Sequence, residues 1–156
     1  MIYVFDSSPL IHLFRYYYPG RFPSLWENFD SIVSDQRIIS VWEVKRELEG
    51  NGDNLSEWVK SHSGFFLKPS ARELNFVTEI FKVPRFQGLV KEKARLKGKP
   101  VADPFVIAKA QSLDDGCVVT LEVKKTKTGK IPNVCEYFGI PCLNVEEFME
   151  LEKWRF

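Results

Sequence analysis

The sequence predicts an α/β fold, a three-layer α/β/α sandwich around a central, mainly parallel sheet. Three observations predict it. Short apolar runs recur at Met1–Phe5, Arg37–Ser40, Cys117–Thr120 and Ile140–Leu143, each of strand length and bounded by polar or turn residues. Segments with apolar residues at helical spacing separate them. The runs are continuous rather than alternating, as in strands covered on both faces, and strands joined by helices run parallel.

Met1 to Phe5, rich in Ile, Tyr, Val and Phe, is the first strand. Pro9 to Tyr18 forms a helix with apolar Leu10, Ile11, Leu13 and Phe14, stopped by Pro19-Gly20. Phe22 to Val33 is a second helix, with Leu25, Trp26, Phe29, Ile32 and Val33 on one face. Arg37 to Ser40 is a short strand, after which Ser40 and Glu43 have capping-box spacing for a helix ending at Gly50-Asn51-Gly52. Leu55 to Lys60 is a helix anchored by Trp58, and Phe65-Phe66-Leu67 a short strand. Ser70 and Glu73 form a second capping box, opening a helix to about Phe81. Pro84 to Pro100 reads as a helix and a basic turn, carrying Lys91, Lys93, Arg95, Lys97 and Lys99. Asp103 to Leu113 is a strongly apolar helix with Pro104 in its first turn, where a missing N–H costs little. Cys117 to Thr120 is a buried strand, Lys124 to Lys130 a basic loop, and Pro132 to Phe138 a helix stopped by Gly139. Ile140 to Leu143 is the last strand and Val145 to Trp154 the last helix.

The 156 residues fit one domain, 1–156, with no repeat, low-complexity tract or linker. Hydrophobic residues make up 44% and charged residues 28%, an ordinary globular balance. A net charge of +1 gives no global basic signature for nucleic acid and leaves room only for a local basic groove. No apolar run approaches a membrane span, and Met1 to Asp6 lacks the basic flank and length of a signal peptide, so a cytoplasmic location is expected. Cys117, Cys135 and Cys142 are odd in number and form no C-x-x-C pair; they read as reduced core thiols.

Four acids lie at element ends or on a helix beside one, flanked by apolar residues. Asp6 closes the first strand, Glu47 follows the second, Asp103 opens an apolar helix, and Glu122 lies two positions past Thr120. Charges rarely border core segments without a partner, and converging carboxylates stay ionised only with a cation among them. Hard oxygen ligands suit Mg²⁺ or Mn²⁺. Glu43, one turn before Glu47 on the same helix face, is the alternative to Glu47.

These segments together resemble a PIN domain. The resemblance is carried by Val4-Phe5-Asp6-Ser7-Ser8, Glu47-Leu48, the run Ala102 to Ala110, and Val118-Val119-Thr120-Leu121-Glu122, in that order along the whole chain. Within that family it is similar to a prokaryotic PIN-like subfamily of unknown function. That likeness rests on Tyr17-Tyr18-Pro19, Phe22-Pro23-Ser24-Leu25-Trp26 and Lys130-Ile131-Pro132-Asn133-Val134-Cys135. The resemblance implies a ribonuclease dependent on Mg²⁺ or Mn²⁺, with Asp6, Glu47, Asp103 and Glu122 as metal ligands and catalytic residues, and for many prokaryotic members a toxin held by an antitoxin. Two positions depart from the family's pattern: Glu122 stands where many members have Asp, and Asn133 where an acid is frequent.

The expected reaction is hydrolysis of RNA phosphodiester bonds by a metal-activated water. Asp6 and Asp103, with short side chains, are expected as inner ligands; Glu47 and Glu122 ligate directly or through water, or orient the nucleophile. Ser7 and Thr120 are expected to donate hydrogen bonds that fix the carboxylates. Lys124, Lys125, Lys127 and Lys130 are placed to touch the phosphate backbone. His12 and His62 have no partner in sequence, which argues against a Ser-His-Asp hydrolase. The bland alternatives are Asp6 and Asp103 as helix N-caps, Glu47 as a solvated helix residue, and Glu122 paired with Lys124. The alternative function is a PIN-like module that binds RNA or protein without cutting. Leu25, Trp26 and Phe29 exceed what one helix face in a small domain needs, so a homodimer is expected, as the resemblance also implies.

Overall fold

The computed structural model describes residues 1–49, 53–89 and 101–156. Five parallel strands form the sheet: β1 (Ile2–Phe5), β2 (Ile38–Val41), β3 (Phe66–Leu67), β4 (Gly116–Val119) and β5 (Cys142–Leu143). Their spatial order is β3-β2-β1-β4-β5. Eight α-helices flank the sheet among the described residues: α1 (Ser7–Tyr16), α2 (Pro23–Ser34), α3 (Trp42–Leu48), α4 (Asn54–Ser61), α5 (Ala71–Phe81), α6 (Asp103–Ser112), α7 (Ile131–Phe138) and α8 (Val145–Leu151). The architecture is the three-layer α/β/α sandwich.

Alternation along β1 explains the layers, because successive strand side chains point to opposite faces. Tyr3 and Phe5 meet Phe148 of α8 edge-on, at 4.7 and 5.2 Å between ring centroids, and Phe5 also meets Phe29 of α2. The opposite face is covered by α6, which packs on β1, β2 and β4 and is flanked by α5 and α7. The α6–β4 approach is close: a Cβ on Gly116 would lie 2.2 Å from the Ala110 carbonyl oxygen, so only glycine fits there. One cluster of buried apolar side chains runs through both layers.

Strand order reverses between β1 and β4, since β2 and β3 lie on one side of β1 and β4 and β5 on the other. Doubly wound sheets bind ligands outside the carboxyl ends of the strands at this reversal. The register pairs Phe5 with Val119, so Asp6 and Thr120 emerge side by side there.

Several sequence expectations are corrected. Ser40 does not cap α3; it lies in β2, and its hydroxyl donates to the Phe5 carbonyl at 2.5 Å. The cap residue is Val41, without a side-chain cap bond, so Glu43 has no capping partner. The capping box of Ser70 and Glu73 forms as expected, and Gly139 ends α7 with φ +69°. Leu25, Trp26 and Phe29 are buried within the chain, and Trp26 donates its indole N–H to the Tyr17 carbonyl. They offer no apolar surface, so the homodimer expectation rests on the resemblance alone. Gly50-Asn51-Gly52 and the basic stretch Lys91 to Lys99 lie outside the described residues. All three cysteines are free thiols, and burial pushes the Cys117 thiol up to about 12, which keeps it protonated and inert. Among the described residues, no helix is long and apolar enough to cross a membrane.

Candidate functional site

Asp6 sits at the carboxyl end of β1, 3% exposed. It occupies the N-cap position of α1 but makes no side-chain cap bond. Its Oδ2 instead accepts hydrogen bonds from Thr120 Oγ1 at 3.0 Å and Ser8 Oγ at 3.1 Å. Those hydroxyls are fixed in turn: the Leu121 N–H donates to Ser8 Oγ and the Glu122 N–H to Thr120 Oγ1, both at 3.1 Å. Thr120 thus donates to Asp6. The other hydroxyl is Ser8's, not Ser7's, because α1 starts at Ser7 and its first turn aims Ser8 across toward β4. Ser7 contributes its backbone N–H. Asp6 Oδ1 is buried with no hydrogen-bond partner among the described residues.

Burial raises the Asp6 carboxyl above its ordinary range, and the charges of Glu122 and Glu47 add to the rise; the Ser7 N–H and the Thr120 hydroxyl pull the other way. Asp6, Glu47 and Glu122, three of the four acids, thus share one electrostatic neighbourhood. Glu47, half-buried on α3, accepts the Ala102 N–H at 3.1 Å, which ties α3 to the start of α6. The next residue, Asp103, is 2% exposed and is the first residue of α6, so it is not the N-cap. Glu122 accepts the Ile131 N–H at 2.8 Å, closing the base of the basic loop. Lys124 pairs with Glu136 rather than with Glu122. Asp103 and Glu122 line one cavity of about 310 Å³, and Glu122 also lines a second, of about 460 Å³, with His12, Tyr17 and Asn144. His12, half-buried, lines this second cavity and packs against the rings of Tyr16 and Tyr17, at 4.9 and 5.9 Å between centroids.

Glu43 belongs to a different cluster. It is 4% exposed, neither carboxylate oxygen has a hydrogen-bond partner among the described residues, and the charges that act on it are those of Glu73 and Lys109. Burial raises its carboxyl, its own backbone N–H opposes the rise, Glu73 adds to it, and Lys109 opposes it. Lys109 Nζ lies 2.9 Å from Glu73 Oε1. Burial acts to raise Glu73, but bonds from Ser70 and Lys109 outweigh it and hold Glu73 below the usual range. The cluster has two carboxylates and one ammonium, and Glu43 is the member that favours a proton. Glu47 is accordingly the acid that α3 supplies to Asp6. The Glu73–Lys109 pair was not anticipated; the only sequence signal was Glu73 in its capping box.

The donor set fits a hard divalent cation in one respect. A buried carboxylate with an orphan oxygen, surrounded by other carboxylates, is the environment a cation completes. Among the described residues, no three His, Cys, Asp or Glu side chains are arranged to hold an ion together. Mg²⁺ keeps several waters and takes one or two carboxylates directly, so it does not require three protein ligands.

The basic loop is built around Asn133. Its Oδ1 accepts the Lys125 N–H and the Thr128 hydroxyl, both at 3.2 Å, and its Nδ2 donates to the Lys125 carbonyl at 2.8 Å. An acid at position 133 would lose that donor.

Fold and site together define a doubly wound parallel α/β domain with a buried acidic centre at the strand-order reversal and a basic loop beside it. The chain belongs to the family described as Domain of unknown function (DUF4411), which it matches over residues 3–156. Comparison with curated proteins finds no match.

Proposed function

We propose that the chain is a cytoplasmic, metal-dependent endoribonuclease of PIN-like type, the toxin of a toxin–antitoxin pair. One observation carries the reading: Asp6, buried at the switch point of the sheet, keeps an orphan oxygen while Glu122 and Glu47 crowd it electrostatically. Leaving a buried charge uncompensated is costly, and the cost makes sense where a ligand completes the site. A bound Mg²⁺ or Mn²⁺ supplies a water of lowered pKa and screens the phosphate charge. Asp6 and Asp103 would hold it, with Glu47 and Glu122 binding through water or orienting the nucleophile. Ser8 and Thr120 keep Asp6 in one rotamer. Lys125, Lys127 and Lys130, with Lys124 at the edge, would hold the RNA backbone without reading sequence. The antitoxin of this reading covers the acidic cleft or the groove beside it.

A second reading is an RNA- or protein-binding module that no longer cuts. It is favoured by Glu47 and Glu122, each of which already accepts a backbone N–H.

Cleavage of an end-labelled single-stranded RNA, with Mg²⁺, Mn²⁺ or EDTA, separates the two. Wild type cleaves only with metal, and Asp103→Asn prepared in parallel falls below detection. Equal cleavage by both refutes the site. Binding without cleavage, across RNA and DNA substrates, selects the module.

A further inference from the structure

We infer that the 310 Å³ cavity beside Asp103 and Glu122 is a subsite for a backbone phosphate next to the one cleaved, with Arg85 as its anchor. The inference rests on the nuclease reading. The cavity is lined by two acids, Asp103 and Glu122, and by three cations, Arg85, Lys125 and Lys130. Among the described residues none of the three cations is in an ion pair. A nucleic-acid strand has the complementary chemistry. On the nuclease reading, one phosphate lies by the acids with a divalent cation between them, and the next meets the three cations directly.

Arg85 is held for this work. It lies in a 3₁₀ turn, Pro84–Phe86, on a stretch outside the basic loop. Its guanidinium stacks 4.9 Å from the Phe86 ring centroid and 5.4 Å from that of Tyr137. The stack fixes the planar group and leaves its N–H edge for bidentate contact with a phosphate. The loop is seated on the same turn: a Cβ on Gly129 would lie 3.1 Å from the Arg85 carbonyl oxygen and 3.5 Å from Phe86 Cα. The two bonds from Asn133 to the Lys125 backbone fix the facing wall. The cations are therefore preorganised, which lowers the entropy cost of binding. Arg85 was not legible in the sequence, because Pro84-Arg85-Phe86 matches no motif and its partner Tyr137 is distant along the chain.

The test is binding, in EDTA, of a fluorescein-labelled single-stranded RNA 12-mer to wild type, Arg85→Ala, Arg85→Lys and a charge-matched control, Lys60→Ala. A second arm replaces one phosphate at a time with an uncharged methylphosphonate, and a third adds inorganic phosphate as competitor. We expect Arg85→Ala to weaken binding and to flatten the dependence of log Kd on log salt by about 0.7, one phosphate's share for a single strand. We expect Arg85→Lys to recover the salt slope but not the affinity, and Lys60→Ala to match wild type. In wild type one methylphosphonate position is penalised most, and in Arg85→Ala that penalty disappears, because the two changes remove the same contact. Inorganic phosphate competes only in the millimolar range or above. Equal penalties in wild type and Arg85→Ala at every position overturn the inference, as does unchanged affinity in Arg85→Ala. Tight competition by inorganic phosphate also overturns it, in favour of a free-anion site. Absence of metal-dependent cleavage leaves these binding outcomes readable, so failure of the nuclease reading is distinguishable.

Discussion

At the scale of single residues, the two carboxylates of α3 that the sequence could not separate, Glu43 and Glu47, face different neighbours. Glu43 sits with Glu73 and Lys109, while Glu47 acts on Asp6. Glu43 has a raised pKa, caused first by burial, so its contribution to stability is full below the ordinary glutamate value of 4.5 and is lost as pH rises through the folded-state value. Glutamine keeps the neutral shape at every pH. We therefore expect Glu43→Gln to melt with wild type below pH 4.5 and above it at neutral pH, by about 1 kcal/mol or roughly 2–4 °C for a chain of this size. A neutral-pH loss on that substitution would mean that the ionised Glu43 is paired. Sequence could not separate the two glutamates, because i and i+4 share a helix face and the deciding neighbours come from α5 and α6. Ser8 was missed for a similar reason: its role depends on where the first turn of α1 points relative to β4.

At the scale of elements, the basic loop depends on one side chain from α7. Asn133 bonds both the N–H and the carbonyl of Lys125, and removing it leaves the loop without that clamp. Asn133→Ala is expected to speed trypsin cleavage at Lys125, Lys127 and Lys130 several-fold, with a fall in RNA affinity and a melting temperature close to wild type. Unchanged trypsin kinetics would show that the loop is held by other contacts. The elements themselves were legible. Caps with a local partner, as at Ser70 and Gly139, were read correctly. The cap at Ser40 was not, because its hydroxyl bonds the Phe5 carbonyl in the next strand, and cross-strand bonding leaves no local signature.

At the scale of the whole molecule, the continuous apolar runs and the helices between them were enough to anticipate parallel strands between helical layers. Strand order was not readable, because pairing is set by which helix covers which face. The order observed puts Asp6 and Thr120 together at the reversal, where the charges of Glu122 and Glu47 act on Asp6. On the proposed function, this neighbourhood is a divalent-cation centre built around Asp6 Oδ1, which has no hydrogen-bond partner among the described residues. Titration of Mn²⁺ against wild type, Asp6→Asn and Glu43→Gln, with free Mn²⁺ read by its electron paramagnetic resonance signal, tests it most directly. The account predicts that wild type and Glu43→Gln remove Mn²⁺ from solution alike. Asp6→Asn, relieved of a buried charge and so at least as stable in EDTA, should remove none. Equal Mn²⁺ uptake by Asp6→Asn, or no uptake by wild type, would contradict the account.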